Sequence, residues 1–204
     1  MMDNEIRSAT IAGMLADRAE RTPDDTVYIY VDENGSESYS FRAFYERAAV
    51  YASYLSSKGI GRNSHCVLVF RQNIEVMYAF FACNILGAAA VPVEFPEKDS
   101  NAERLSRIIA KCGAECILTN DSEREHLEKL SADSFGGVPV HSAGQSAGCS
   151  MMEDIVMGDI AILQYTSGST SEPKGVMVSD GALLNNIKQI RDKLHLDGSS
   201  RWVS

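Results

Sequence analysis

The stretch Cys66–Val93, CVLVFRQNIEVMYAFFACNILGAAAVPV, contains a strand, a helix and a second strand in the pattern of a parallel sheet. Cys66–Phe70 is short and continuously apolar, which is typical of a strand that is covered on both faces. Asn73 is a suitable N-cap for a helix over Ile74–Leu86, and Ala89–Val93 is predicted to be the next strand.

The same stretch contains the longest apolar run of the chain, Val76–Val93, and this run is not predicted to cross a membrane. A membrane-spanning helix needs about 20 predominantly apolar residues. The run is slightly shorter, contains Asn84 and is broken by Gly87 and Pro92. We therefore expect a soluble chain in which a buried helix leads into a buried strand.

Helix and strand patterns alternate on both sides of this unit. Upstream, Thr26–Val31 and Ser36–Ser40 are predicted strands joined by the turn signal Asn34-Gly35, and Ser40 caps a helix with an apolar stripe from Phe41 to Leu55. Downstream, the predicted helices are Asn101–Cys112, Ser122–Leu130 and Ala182–Leu194, and the predicted strands are Cys116–Thr119, Val138–His141 and Ile160–Tyr165. This alternation predicts an α/β fold with a mostly parallel sheet and helices on both faces. We assign residues 1–204 to one unit, with a small-residue linker near 143–150.

The composition of the 204 residues is that of a globular protein, and the formal charge is −9, from 19 basic and 28 acidic residues. The basic residues are scattered singly rather than in a stripe, which argues against nucleic-acid binding. The five cysteines form no Cys-x-x-Cys pair, and residues 1–10 show no signal-peptide pattern. These features predict free thiols, no metal site and a cytoplasmic location.

Thr166–Gly175 (TSGSTSEPKG) follows a predicted strand, at the kind of place where open α/β sheets bind ligands. Gly168 allows a tight turn in which backbone N–H groups converge on an anion, and Lys174 adds a full positive charge. Four hydroxyl side chains add further donors, namely Thr166, Ser167, Ser169 and Thr170. Hydrogen bonds to a charged partner contribute roughly 1.5–3 kcal/mol each, so a few of them can hold a triphosphate against an acidic chain.

The loop differs from the P-loop of nucleotide triphosphatases. Counted from Gly168, that pattern requires glycine at position 173 and serine or threonine after the lysine. Pro173 and Gly175 stand at these positions, and proline has no N–H to offer. A surface loop rich in serine, threonine, glycine and proline remains the alternative interpretation from composition.

The longer stretch Leu163–Ser179, LQYTSGSTSEPKGVMVS, closely resembles the phosphate-loop signature of the adenylate-forming superfamily. Leu86–Pro96 resembles a second core segment of that family, and Tyr39–Val69 resembles its opening helix and strand. The resemblance implies the N-terminal part of the superfamily's large domain, truncated. It also implies a ligase that uses ATP and Mg²⁺ to convert a carboxylic acid into acyl-AMP and pyrophosphate, with coenzyme A or an acyl carrier protein as the acceptor.

The resemblance assigns the β- and γ-phosphates of ATP to six loop residues, whose role is to neutralise the charge that grows on the leaving pyrophosphate. These residues are Thr166, Ser167, Gly168, Ser169, Thr170 and Lys174. It places no catalytic residue and no metal ligand within this chain. Ser171 stands where many family members have glycine, and Asp180 stands where histidine is frequent. With Ser171, the loop and its flanks look most like those of fatty acyl-AMP ligases.

Three hypotheses for the chain follow. Family members continue well beyond this length, so the resemblance implies a fragment that does not adenylate an acid by itself. A peptide-synthetase-type adenylation domain is the second hypothesis within the family. The third is a non-catalytic interaction module, or a remnant that dimerises through an open strand edge.

Overall fold

The computed structural model describes residues 9–32, 35–71, 74–97, 99–152, 154–166, 173–198 and 200. The helices in these ranges are α1 (Ile11–Arg21), α2 (Phe41–Ser57), α3 (Glu75–Ile85), α4 (Asp99–Cys112), α5 (Asp121–Ser134) and α6 (Asp180–Leu194). The strands are β1 (Thr26–Asp32), β2 (Gly35–Ser40), β3 (His65–Val69), β4 (Ala89–Val93), β5 (Cys116–Thr119), β6 (Val140–Ser142), β7 (Ile162–Thr166) and β8 (Lys174–Val178). A 3₁₀ turn, Ala143–Ser146, follows β6.

In the described ranges, the main sheet has six strands in the order β6–β5–β3–β4–β7–β8. All neighbouring strands run parallel except β7 and β8, which are antiparallel. β1 and β2 form a separate antiparallel hairpin. The α/β class and the mostly parallel sheet that the sequence predicts are therefore confirmed.

Each central strand divides its side chains between two cores, one on each face of the sheet. In β3, Cys66 and Leu68 pack in the core that α1, α2 and α3 cover, whereas Val67 and Val69 pack in the core beneath α4 and α5. All four residues are buried. Because helices cover both faces of the central strand β3, its residues Cys66–Val69 form a continuous apolar run.

The apolar run Val76–Val93 is divided between a helix and a strand. α3 ends at Ile85, Gly87 takes a φ of 68°, and β4 begins at Ala89. The prediction that this run folds into a buried helix and a buried strand is confirmed. Within the described residues, no helix has the length and hydrophobicity that a bilayer span requires.

Side-chain caps fix where four of the described helices begin, including α6, which Ser179 caps. Thr10, Ser40 and Asn120 each accept a hydrogen bond from the backbone N–H three residues further on. The prediction that Ser40 caps α2 is confirmed. α3 begins at Glu75, and Asn73, which the sequence suggests as its cap, lies outside the described residues.

The segment 143–150, which the sequence suggests as a linker, begins as a packed turn. Ala143 and Ser146 are buried within the 3₁₀ turn. Shortly after it, the backbone N–H of Met152 donates to the carbonyl of Ala49 in α2 at 3.2 Å. Small residues here allow the chain to lie close against α2. The role of the segment as a linker between subdomains stays a prediction.

A set of contacts at the amino end of the sheet fixes where β7 begins. Asp159 accepts hydrogen bonds from Asn63 Nδ2 at 2.9 Å and from Arg62 Nη2 at 3.0 Å, and its own N–H donates to Asn63 Oδ1 at 3.0 Å. Beside them, the backbone of Gly158 lies directly against that of Gly87. A Cβ atom added to Gly158 would lie 2.2 Å from the Gly87 carbonyl oxygen. These contacts hold the chain in place just before β7 pairs with β4.

Gly158→Ala is expected to destabilise the fold, because the new methyl group must push the two backbones apart. We expect the free energy of unfolding to fall by about 1–3 kcal/mol, the usual cost of overpacking. Urea denaturation followed by far-ultraviolet circular dichroism measures this change. Gly61→Ala is the matched control, since nothing lies within 4 Å of a Cβ atom built there. Equal stability of the two variants would contradict the close contact at Gly158.

Candidate functional site

The candidate loop connects two antiparallel strands whose ends are paired. Thr166 is the last residue of β7, Lys174 is the first residue of β8, and the two are register partners. Facing Cα atoms of an antiparallel pair lie about 4.5–5.5 Å apart. The end of β7 and the start of β8 therefore lie next to each other, and we call these paired ends the hairpin tip; residues 167–172 lie outside the described residues.

This hairpin tip lies at the carboxyl edge of the sheet. β7 is parallel to β4, and β4 is parallel to β3, so all three strands end on the same side. Arg71 follows β3 at this edge, and Phe95 follows β4. Open α/β sheets bind their ligands just beyond the carboxyl ends of their strands. The paired ends of β7 and β8 are thus located where a ligand of this kind of sheet is expected.

The structure brings together the first and the last of the six predicted phosphate-binding residues. Thr166 and Lys174 are paired through their strands, and Lys174 is exposed. Outside the described residues lie the side chain of Thr166 and the whole of Ser167, Gly168, Ser169, Thr170 and Ser171. Phosphate binding by these residues stays a prediction.

The sequence pattern does not predict β8, and the structure corrects the assignment of its first residues to the loop. Lys174 and Gly175 are typical of a loop, and only the run Val176–Val178 carries a strand signal. Pairing with β7 extends the strand back to Lys174. The backbone of Lys174 is therefore fixed by the sheet.

A glycine opposite an aromatic ring shapes the base of the hairpin. Tyr165 in β7 faces Gly175 in β8. A Cβ atom at Gly175 would lie 3.1 Å from Tyr165 Cζ and 3.0 Å from Leu163 Cδ1. The ring thus occupies the space that a side chain on β8 would need, and burial raises the pKa of Tyr165 above its usual 10.0. The strands are closely packed immediately next to the loop.

Two basic residues at the carboxyl edge differ in how far their charge is neutralised. Arg71 donates from Nε to Glu123 at 2.9 Å and from Nη1 to Glu97, and its guanidinium carbon lies 4.1 Å from the centre of the Phe95 ring. Lys174 forms no ion pair within the part of the chain that the structure describes. Two carboxylates already neutralise Arg71, whereas the side chain of Lys174 is exposed.

Asp180 connects the segment after β8 to the first helix. Ser179 caps α6, and the next residue, Asp180, accepts a hydrogen bond at Oδ1 from the backbone N–H of Ile11 at 2.7 Å. Ile11 is the first residue of α1, where N–H groups lack helical partners and a negative charge is favoured. Burial raises the pKa of Asp180 above its usual 3.8, and the bond from Ile11 offsets part of that rise. Asp180, which stands where the family pattern frequently has histidine, therefore accepts a hydrogen bond that joins it to α1.

The described residues offer no preformed cation site. In those ranges, no three histidine, cysteine, aspartate or glutamate side chains are arranged to hold a metal ion. All five cysteines are free thiols, and four of them are buried. The charged side chain described at the hairpin tip is that of Lys174, and an ammonium group binds anions.

Similar proteins are found among known sequences and structures. A family model described as AMP-binding enzyme matches residues 15–204. Gramicidin S synthase 2 of Brevibacillus brevis is 30% identical over 183 residues, which covers 88% of this chain and 4% of that protein.

The crystal structure of a fatty acid AMP ligase from Legionella pneumophila matches with a TM-score of 0.82 at 25% identity, over 93% of this chain and 33% of that one. A fatty acyl-adenylate ligase from L. pneumophila, solved in complex with acyl adenylate and pyrophosphate, matches with a TM-score of 0.78 at 25% identity and the same coverage. The chain thus spans a third or less of the length of these relatives.

Asp180→Ala is expected to lower the free energy of unfolding by about 1 kcal/mol, the usual cost of removing a side-chain cap. Asp180→Asn is the matched control, because its amide oxygen still accepts the hydrogen bond from Ile11. Thermal denaturation of the three proteins at neutral pH measures the difference. An alanine variant as stable as the wild type would contradict the role of this contact.

The stability of the fold is expected to depend on pH through Asp180. Since the folded-state pKa of Asp180 is raised, the stability that protonation of its carboxyl group adds is present below the unfolded pKa and is lost as the pH rises through the folded pKa, while the hydrogen bond from Ile11 is kept. The stability of the wild type relative to Asp180→Asn should therefore fall as the pH rises from below the usual pKa of 3.8 through the raised folded-state pKa. A relative stability that rises over this interval would contradict the direction of the shift.

Proposed function

The chain belongs to the AMP-binding enzyme family, and on that basis we propose that it is the phosphate-binding N-terminal portion of a ligase that activates a fatty acid with ATP. One observation carries the proposal. The residues that flank the loop of the family signature, Thr166 in β7 and the exposed Lys174 in β8, are paired at the edge of the sheet where α/β folds generally bind ligands. This arrangement suits a polyphosphate.

In the proposed reaction, a carboxylate oxygen of the acid attacks the α-phosphorus of ATP. The bond from that phosphorus to the bridging oxygen breaks, so that acyl-AMP forms and pyrophosphate leaves. Negative charge grows on the β-phosphate as this bond breaks, and fixed donors that contact it lower the barrier. The proposed donors are Thr166, Ser167, Gly168, Ser169, Thr170 and Lys174. Their role is electrostatic, and none of them acts as an acid, a base or a nucleophile.

The proposal also covers the metal ion, the acceptor of the acyl group and the location of the protein. None of the six carries a carboxylate, so the set does not fit a Mg²⁺ site, and we propose that Mg²⁺ enters bound to the nucleotide. The acceptor of the acyl group is the thiol of coenzyme A or of an acyl carrier protein. A cytoplasmic location also belongs to the proposal.

The choice of a fatty acid is supported by the Legionella enzymes, whose names give a fatty acid AMP ligase and a fatty acyl-adenylate ligase. Ser171 and its flanking residues support the same choice.

A specific observation favours a second candidate, the adenylation of an amino acid by a peptide-synthetase-type domain. This observation is the 30% identity to Gramicidin S synthase 2 over 183 residues.

Lys174→Ala is expected to weaken the binding of pyrophosphate to the chain roughly 10- to 100-fold, because it removes a charge-assisted hydrogen bond. Titration calorimetry with pyrophosphate measures the dissociation constant. Lys188→Ala is the matched control, since Lys188 is an equally charged and exposed residue on α6. Equal affinities of the two variants would contradict the assignment of Lys174, and a wild-type chain that binds no pyrophosphate would contradict the site.

The 204-residue chain by itself is expected to catalyse no ATP–pyrophosphate exchange above an enzyme-free control, because it spans a third or less of the length of its relatives. Exchange with any acid on the purified chain would overturn this expectation. The acid class is tested on the complete product of the gene that encodes this sequence. Exchange that depends on fatty acids supports the proposal, exchange that depends on amino acids supports the second candidate, and no exchange with either supports a non-catalytic module.

A further inference from the structure

β6 is a short strand that depends on side chains for part of its attachment to the fold. It contains three residues, Val140–Ser142, lies at one end of the described sheet and pairs there with β5. A strand of this length forms few backbone hydrogen bonds, so its local opening costs less free energy than that of a central strand. Val140 packs in the core beneath α4 and α5, and Ser142 donates a hydrogen bond to Asp121 at the start of α5. His141 points to the other face of the sheet, where it contacts α2.

His141 is joined to α2 through Tyr54. The Nδ1 atom of His141 lies 3.1 Å from the hydroxyl oxygen of Tyr54, and the two rings meet edge to face with their centres 5.6 Å apart. Tyr54 is 7% exposed, and burial raises the pKa of its hydroxyl group above the usual 10.0, so this group keeps its proton at neutral pH. A neutral imidazole that carries its proton on Nε2 can accept a hydrogen bond from the hydroxyl group at Nδ1. The contact joins residues 87 positions apart in the chain.

The charged groups around this contact oppose the protonation of His141. Lys58 follows the last residue of α2, and its ammonium nitrogen lies 5.2 Å from the centre of the Tyr54 ring. On α5, Arg124 and Glu128 form an ion pair at 2.8 Å. Partial burial lowers the pKa of His141 below its usual 6.5. The positive charges of Lys58 and Arg124 lower this pKa further, and the negative charge of Glu128 offsets part of the decrease.

We propose that the contact between Tyr54 and His141 is an acid-sensitive connection, which holds β6 against α2 while His141 is neutral and releases β6 when His141 is protonated. After protonation, both ring nitrogens carry hydrogens, so Nδ1 no longer accepts from the hydroxyl group of Tyr54. The hydroxyl group must turn and accept instead, and a new positive charge lies half-buried beside Lys58 and Arg124. The connection lies at the end of the sheet opposite to β8, and the inference is independent of the reaction proposed above.

A second half-buried histidine, His65, shows why the partner of the ring decides the response to acid. The Nδ1 atom of His65 lies 2.6 Å from the backbone carbonyl oxygen of Cys112. A carbonyl oxygen can only accept a hydrogen bond, so Nδ1 of His65 is the donor, and it remains a donor after protonation. The partner of His141 is a hydroxyl group that can donate, and in that arrangement protonation removes the acceptor.

Release of β6 is expected to extend into the segment that follows it. The 3₁₀ turn begins at Ala143, directly after β6, and both Ala143 and Ser146 are buried. Beyond the turn, the backbone N–H of Met152 donates to the carbonyl of Ala49 in α2. Because the backbone runs without interruption from β6 into this segment, a displaced β6 pulls on the turn. The other titratable groups that act on Tyr54 are the thiols of Cys116 and Cys149.

Imidazole NMR spectra of the 204-residue chain, recorded over a series of pH values, test the protonation step. The signals of His141 are identified by their absence in His141→Gln. Their pKa is expected to lie below 6.5, with the proton of the neutral ring on Nε2. Lys58→Gln is expected to raise this pKa and Glu128→Gln to lower it, because the first removes a positive charge and the second a negative one. Tyr54→Phe is expected to raise it, because the neutral ring then loses its hydrogen-bond donor.

Amide hydrogen exchange tests the release of β6. The protection of the β6 amides, corrected for the intrinsic pH dependence of exchange, is compared with that of the β4 amides in the same sample. Since the folded-state pKa of His141 is lowered, this ratio is expected to be highest above pH 6.5 and to fall as the pH falls through the folded-state pKa. His141→Gln is the matched control, because its amide oxygen can accept from Tyr54 and its side chain does not titrate. Its ratio is expected to stay constant over the same interval.

Three results would overturn the proposal. The first is a pKa of His141 at or above 6.5. The second is a wild-type protection ratio that does not change as His141 is protonated. The third is an equal fall of the ratio in His141→Gln, because another group would then cause the release.

Discussion

The backbone contact between Gly87 and Gly158 is the constraint on which the arrangement of the site depends. It allows the chain that precedes β7 to lie against the turn that precedes β4, closer than any side chain would permit. Two hydrogen bonds between Asn63 and Asp159 join the same two segments of the chain. Because β7 then runs parallel to β4, its carboxyl end falls at the edge where the other parallel strands end. This alignment at the amino end places the hairpin tip at the carboxyl edge of the sheet.

The distribution of charge is compatible with the phosphate site that we propose on an acidic chain. The formal charge of −9 is distributed over the surface, where exposed charges separated by more than about 8 Å are screened. At the carboxyl edge, the acidic residues Glu97 and Glu123 are paired with Arg71. Lys174 lies on a strand end whose position the sheet fixes. Asp180, the acidic residue nearest to β8 on its far side, accepts a hydrogen bond from α1.

The sequence predicts the central strands well because their pattern follows from local physics. Ala89–Val93 and Cys116–Thr119 are observed with the predicted bounds, since a strand covered on both faces consists mainly of apolar residues. β8 is missed because its first two residues become a strand only through pairing with β7. The contacts of Asn63 with Asp159 join residues 96 positions apart, and no local pattern indicates them. The loop residues are recognised from their order and not from their geometry.

Backbone amide chemical shifts during a titration with pyrophosphate test the central claim, that the tip of the β7–β8 hairpin binds phosphate. The largest shifts are expected within residues 166–174, with smaller ones at the neighbouring ends of β7 and β8. Amides at the amino end of the sheet, including those of Gly87 and Gly158, should stay unchanged. Saturable shifts centred away from the hairpin, or none at any concentration, would contradict the claim.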